Sequence, residues 1–217
     1  MKIKQYILLL ILTTSLILTS GCLDEIINKD SPDSLNKVGL EYYNSFDYQT
    51  AITYFDKAIE VDSKFKESWY NKGNSLNALQ RYDEAIFCFD KALELDPNNH
   101  YYLSSKGYSL NSLQRYDEAI FCYSKALDSE PNNSYYLSGK GYALYYGRNK
   151  EEAVTYFDKA IESDPNYAYA WYFKGNIYYE SGEYQTAITY FDKALNVDPN
   201  FEFARSGKIN AEKELNK

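Results

Sequence analysis

A single histidine, His100, stands in 217 residues. With only scattered carboxylates around it, the chain has no ligand cluster for zinc, and no metal site is expected. No glycine-rich phosphate loop occurs, and no serine or cysteine lies beside a base as a nucleophile needs. Those gaps argue against an enzyme and against any cofactor. Basic residues are also in deficit: 23 Lys and Arg face 31 Asp and Glu, for a net charge of −8. The balance grows more negative once Lys2 and Lys4 leave with a leader. A phosphate backbone repels such a surface, and no basic stripe interrupts it, so nucleic acid is not an expected partner. The charges are dispersed rather than blocked, which suits the solvated outer faces of helices.

What the chain does have is a period. Gly39, Gly73, Gly107, Gly141 and Gly175 stand 34 residues apart without a slip. Each has an aromatic residue or leucine four places before it, an alanine twelve after and another aromatic sixteen after. A fixed period of this size means stacked copies of one small unit. In the second copy the frame reads Trp69, Gly73, Leu76, Ala85, Phe89, Ala92 and Pro97; in the fifth it reads Trp171, Gly175, Tyr178, Ala187, Phe191, Ala194 and Pro199. Apolar residues recur at helical spacing from Lys66 to Leu79 and again from Asp83 to Leu95, with a Gln-Arg-Tyr corner between. Glycine and alanine at facing positions let two helices approach closely while large residues fill the surrounding space. Asp96-Pro97-Asn98, Asp164-Pro165-Asn166 and Asp198-Pro199-Asn200, with Glu130-Pro131-Asn132 in the third copy, end each second helix.

The order Trp/Leu, Gly, Tyr/Leu, Ala, Phe/Tyr, Ala and Pro over 34 residues resembles the tetratricopeptide repeat (TPR) family. The resemblance covers 32–65, 66–99, 100–133, 134–167 and 168–201. It implies an all-α, right-handed superhelical solenoid of five helix-turn-helix units. Residues 202–217 read as a C-terminal capping helix with Ala204, Ala211 and Leu215 toward one face. Departures are few: Ser63 replaces the closing proline of the first copy, and Lys150 replaces the tyrosine seen as Tyr48, Tyr82, Tyr116 and Tyr184.

The first residues differ in kind. Lys2 and Lys4 precede an apolar run from Tyr6 to Leu12; Thr13-Thr14-Ser15 interrupts it before Leu16-Ile17-Leu18, and Ser20-Gly21 leads to Cys22. A basic start, a short apolar stretch and small residues make a signal peptide over 1–21. The apolar part falls short of the ~18–20 residues of a comfortable spanning helix. The junction resembles a lipoprotein signal, in which Cys22 becomes the acylated first residue, although Thr19 stands where that signal usually has leucine. An ordinary secretory signal and an uncleaved anchoring helix remain alternatives. With a lipid on Cys22, the protein is exported and held at a membrane of the cell envelope, with 22–31 as a polar tether.

Cys88 and Cys122 share one repeat position, where the other copies carry Tyr54, Tyr156 and Tyr190. Equivalent atoms of successive repeats lie ~10 Å apart, beyond the ~7 Å limit for a bridge, so both are expected as packed free thiols. His100 is expected as an exposed turn residue.

The resemblance also locates a binding surface. In TPR proteins the first helix of each hairpin lines a concave groove, and positions two, five, nine, twelve and thirteen tend to face it. Here those positions supply Tyr70, Asn74, Asn77, Tyr101, Tyr108, Asn111, Tyr135, Tyr142, Tyr145, Tyr146, Tyr169, Tyr172, Asn176 and Tyr179. Tyrosine offers a large stiff face with a hydroxyl at its tip, a combination enriched at recognition surfaces. Roughly half of these tyrosines are expected on solvent and half in packing, since tyrosine is intermediate in burial. The expected partner is another protein, through an extended peptide or a helix. A glycan or small ligand held by the same tyrosines, or a passive spacer without a ligand, are the alternatives.

One family function is absent. TPR domains that clamp acidic chaperone tails use Lys, Arg and Asn at positions five and nine. Position five here is Asn36, Tyr70, Ser104, Ser138 and Tyr172, and position nine is Leu40, Asn74, Tyr108, Tyr142 and Asn176, with no cation for a carboxylate. Lys72, Lys106, Lys140 and Lys174 at position seven are expected to extend along the helix surface into water.

Overall fold

The computed structural model describes residues 31–217; the expected signal peptide, Cys22 and nearly all of the expected tether lie outside the described residues. Among the described residues there are eleven α-helices and no strand. The chain forms two compact units, one ending at Arg81 and the other running from Tyr82 to Lys217. The first holds α1 (Pro32–Asn44), α2 (Tyr48–Val61) and α3 (Lys66–Ala78). The second holds α4 (Tyr82–Leu95), α5 (His100–Ser112), α6 (Tyr116–Ser129), α7 (Ser134–Tyr146), α8 (Lys150–Ser163), α9 (Ala168–Glu180), α10 (Tyr184–Val197) and α11 (Glu202–Leu215).

Within each unit, consecutive helices pack as hairpins: α1 on α2, α5 on α6, α7 on α8 and α9 on α10. The close approach is built by small residues. Ala51, Ala58, Ala85, Ala92, Ala119, Ala126, Ala153, Ala160, Ala187 and Ala194 are all fully buried. The glycine of the frame faces the aromatic ring sixteen residues on. A Cβ on Gly39 would stand 2.4 Å from the Phe55 ring, one on Gly141 2.8 Å from Phe157, and one on Gly175 2.5 Å from Phe191. Any larger residue there must push the second helix away.

The corners and ends follow local chemistry. The left-handed residue after each first helix lets two amides turn back to the helix carbonyls, as Gln114 N–H does to Asn111 O and Arg115 N–H to Leu110 O. Asn99 and Asn133 accept backbone N–H groups at the starts of α5 and α7. Asp164 and Asp198 accept from the N–H two residues on, fixing the turn around each proline.

Three expectations change. The position-seven lysines do not run free into water: Lys72 pairs with Asp56 in the first unit, and Lys106, Lys174 and Lys208 pair with Asp90, Asp158 and Asp192 in the second. Each aspartate lies sixteen residues earlier, on the preceding hairpin, so these pairs tie neighbouring copies together. Lys140 faces Ser124 in that register and instead donates to the Tyr156 hydroxyl at 2.7 Å. His100 is not an exposed turn residue: it opens α5 and its Nδ1 lies 2.9 Å from the Tyr136 hydroxyl, in a half-buried contact. On α11, Ala204 and Ala211 are buried but Leu215 is 48% exposed, because the helix ends beyond the last hairpin. Cys88 and Cys122 are buried free thiols, and burial pushes the Cys122 thiol up to about 11.

Candidate functional site

A cleft of about 460 Å³ opens in the second unit, on the first helices of its hairpins. It is lined by Tyr108, Asn111 and Ser112 from α5, Tyr135, Ser138, Gly139 and Tyr142 from α7, and Tyr169 and Phe173 from α9, together with Tyr123 and Tyr167. None of these residues carries a formal charge. A second cleft adjoins it at Asn111, Ser112 and Tyr142 and continues past Gln114, Tyr116, Tyr146, Gly147 and Arg148.

The lining of the first cleft includes one departure from the repeat. The ring at repeat position 24 is Phe in four copies and Tyr123 in the third, where it is 1% exposed. Its extra hydroxyl needs room, and Gly139 on α7 supplies it: a Cβ there would lie 2.4 Å from Tyr123 Cζ and 2.8 Å from the hydroxyl oxygen. Burial, then Tyr135 as neighbour and hydrogen-bond partner, hold the Tyr123 phenol well above its ordinary pKa. Above it, Asn111 is 7% exposed and its Nδ2 donates to Gly139 O at 3.1 Å. Asn111 Oδ1 is buried with no hydrogen-bond partner.

The rim is aromatic and neutral. Tyr108, Tyr135 and Tyr169 are exposed, and Tyr142 is half-buried with its ring edge-on to Phe173 at 5.3 Å. Burial, followed by the nearby Tyr146, Tyr116, Tyr108 and Tyr172, pushes the Tyr142 phenol up to about 12. Tyr167 is pushed up to about 12 as well, chiefly by burial. These hydroxyls stay protonated at neutral pH, so the cleft presents neutral donors and ring faces.

Of the groove residues expected from sequence, Tyr108, Asn111, Tyr135, Tyr142 and Tyr169 meet in the first cleft. Tyr101 is exposed but lies outside it, its ring tilted against that of His100 with centroids 4.1 Å apart. Tyr145 is buried against Phe173, and its hydroxyl donates to Glu180, which also pairs with Lys150. Tyr172 and Tyr179 are half-buried against the α10–α11 core. Asn176 is half-buried and is not among the cleft residues. Tyr70, Asn74 and Asn77 are half-buried on α3 of the first unit and are not among the cleft residues. Sequence reasoning passed over Ser112, Tyr123, Ser138, Gly139, Tyr167 and Phe173 as groove residues. The signal available was the coincidence of a Tyr for Phe at position 24 with a glycine at position six of the next copy.

Helical hairpins recurring every 34 residues, joined by left-handed corners and lysine–aspartate pairs, define an α-helical tandem-repeat protein. Tetratricopeptide-repeat family profiles match residues 32–65, 67–99 and, overlapping, 104–168 and 138–203. The chain belongs to the tetratricopeptide-repeat family. The uncharacterized protein MJ0572 of Methanocaldococcus jannaschii is 39% identical over 62 residues, which are 29% of this chain and 70% of that protein. The crystal structure of YrrB, a TPR protein with an unusual peptide-binding site, is similar with a TM-score of 0.68 at 25% identity, covering 87% of this chain and 96% of that one. MamA from Desulfovibrio magneticus RS-1, from residue 41 to its end, gives a TM-score of 0.72 at 20% identity, over 79% and 97% of the two chains, a likeness of fold alone.

Proposed function

We propose that this chain is a non-catalytic scaffold that binds a peptide or helix of a partner protein along the first-helix face of its repeats, held at a membrane by its N-terminus. The observation that carries the binding reading is the uncharged, tyrosine-walled cleft between α5, α7 and α9. Tyrosine rings there offer broad contact area at small entropic cost, and their protonated hydroxyls offer hydrogen bonds without demanding a charged partner. The similarity to YrrB supports a peptide as the ligand. The tether rests on the residues before the repeats: Lys2 and Lys4, a short apolar run, Ser20-Gly21 and Cys22 as the acylated residue.

Affinity capture from crosslinked membranes tests the scaffold, comparing the wild type with a folded Tyr108→Ala/Tyr142→Ala/Tyr172→Ala variant. Specific proteins retained by the wild type and lost by the variant are the expected result. Identical captures from both sink the groove as the binding surface, and a neutral oligosaccharide bound in the absence of protein moves the reading to a glycan. Incorporation of a labelled fatty acid that disappears in Cys22→Ser is the expected outcome for the tether.

A further inference from the structure

The two adjoining clefts share Asn111, Ser112 and Tyr142 and so run into one another as a single groove. Across both linings one residue carries a formal charge: Arg148, in the second cleft. It stands at the corner of the fourth hairpin, where the other copies have Phe46, Gln80, Gln114 and Gly182. That corner is repeat position fifteen, apart from positions five and nine of the chaperone-tail clamp. Among the described residues, the exposed Arg148 side chain forms no ion pair. Glu180, whose charge reaches Tyr146, is already held by Lys150 and by the Tyr145 hydroxyl. The groove therefore offers one uncompensated cation in a chain of net charge −8.

The surroundings decide which anion suits it. The corner amides turn back to the helix: Gly147 N–H donates to Ala143 O, Arg148 N–H to Tyr145 O and Asn149 N–H to Leu144 O. The Asn149 side chain is engaged with Glu152, through both its carboxylate and its backbone N–H. No backbone nest is left there to close around a phosphate or a chain-terminal carboxylate, each of which calls for several donors. A lone guanidinium instead matches the two oxygens of one side-chain carboxylate with its planar fork.

We infer that the segment bound in the groove is acidic: it seats an uncharged side chain among the tyrosines of the first cleft and pairs an aspartate or glutamate with Arg148 in the second. The inference rests on the peptide-binding reading above and adds a direction to it. A single charge beside a neutral cleft tells the two ends of an extended chain apart.

The test presents the full chain, in mild detergent, to an array of random peptides anchored by their C-termini, so that acidic side chains are their only carboxylates. Asp and Glu are expected to be enriched about threefold or more among the peptides retained, in the range of an exposed ion pair. The negative charge of the whole molecule opposes such enrichment, so the preference has to come from the groove. It is expected to vanish in Arg148→Gln and to turn to Lys and Arg in Arg148→Glu, both shown to be folded by circular dichroism. Retained peptides without acidic enrichment overturn the pairing even if the variants fail to fold, and so does enrichment that Arg148→Gln leaves intact; the scaffold reading then stands. Phosphoserine in place of the acid, binding more than about tenfold tighter, overturns it in favour of a phosphate. If the wild type retains no peptide at all, the peptide-binding reading and this inference fall together.

Discussion

Two successive junctions in the second unit use the same repeat positions and reach opposite results. Between the third and fourth copies, the position-24 ring of Tyr123 is met by Gly139, and a cleft remains above it. Between the fourth and fifth, Phe157 is met by Phe173, with ring centroids 5.4 Å apart and planes 8° from parallel. At the third–fourth junction the space beside Gly139 is taken by the ring and hydroxyl of Tyr123; at the next, Phe173 fills it with its own ring. The residue at position six therefore differs in what it packs against from one junction to the next: a tyrosine ring at Gly139, a stacked phenylalanine at Phe173.

The closed junction should be the more expensive to damage. Phe157 is fully buried and packs with Ala153, Ala160, Ala170 and Phe173 in one cluster. Phe157→Ala removes the ring and leaves a cavity that rigid helices refill poorly, for an expected loss of about 3–5 kcal/mol. Because repeat stacks need not unfold in one step, the denaturant dependence of amide exchange in α8 and α9 is the fitting readout. A loss below about 1 kcal/mol would mean that the stacked rings do not hold that junction, and the contrast with the open one would collapse.

Gly139→Ala probes the open junction with a single methyl. The new Cβ meets Tyr123 at 2.4 Å, and the ring, buried on all sides, has only the cleft into which to move. The expected cost is about 1–3 kcal/mol, seen as a lower melting temperature, together with a smaller cleft. A variant as stable as the wild type would show that Tyr123 has spare room, and that the glycine is not what keeps the cleft open.

Much of this molecule is legible from its sequence, for a physical reason. A 34-residue period forces every copy to solve the same packing problem, so the fold class follows from glycine, alanine and aromatic residues that recur in register. The site is harder to read. Asn111 and Tyr145 share repeat position twelve and both are buried, yet Asn111 lines a cleft and donates to Gly139 O while Tyr145 has its hydroxyl on Glu180. Position alone says which face a residue is on; what it meets there depends on its neighbour in the next copy. The lysines at position seven mislead in the same way. Their aspartate partners lie sixteen residues back, where helical periodicity within one helix has no bearing.

The smallest effect sharpens the comparison at the hairpin corners, where the fifth copy again differs from the others. Phe46, Gln80, Gln114 and Arg148 hold φ values of 64°, 59°, 60° and 71° at the position where the fifth copy has Gly182 at 79°. A side chain in this left-handed region crowds its own carbonyl at a cost of ~1–2 kcal/mol, which glycine avoids. Glycine also gains freedom in the unfolded chain, which returns ~0.5–1 kcal/mol of that advantage. Gln114 is exposed, and its N–H donates to Asn111 O whatever the side chain. Gln114→Gly is therefore expected to stabilise the third hairpin by about 0.5–1 kcal/mol, and Gly182→Ala to destabilise the fifth by a similar amount. Both are measurable from denaturant midpoints at unchanged slope. Stabilisation at 114 with no loss at 182 would place the strain in the third corner alone, whereas destabilisation at 114 would mean that its side chain supplies a contact worth more than the strain.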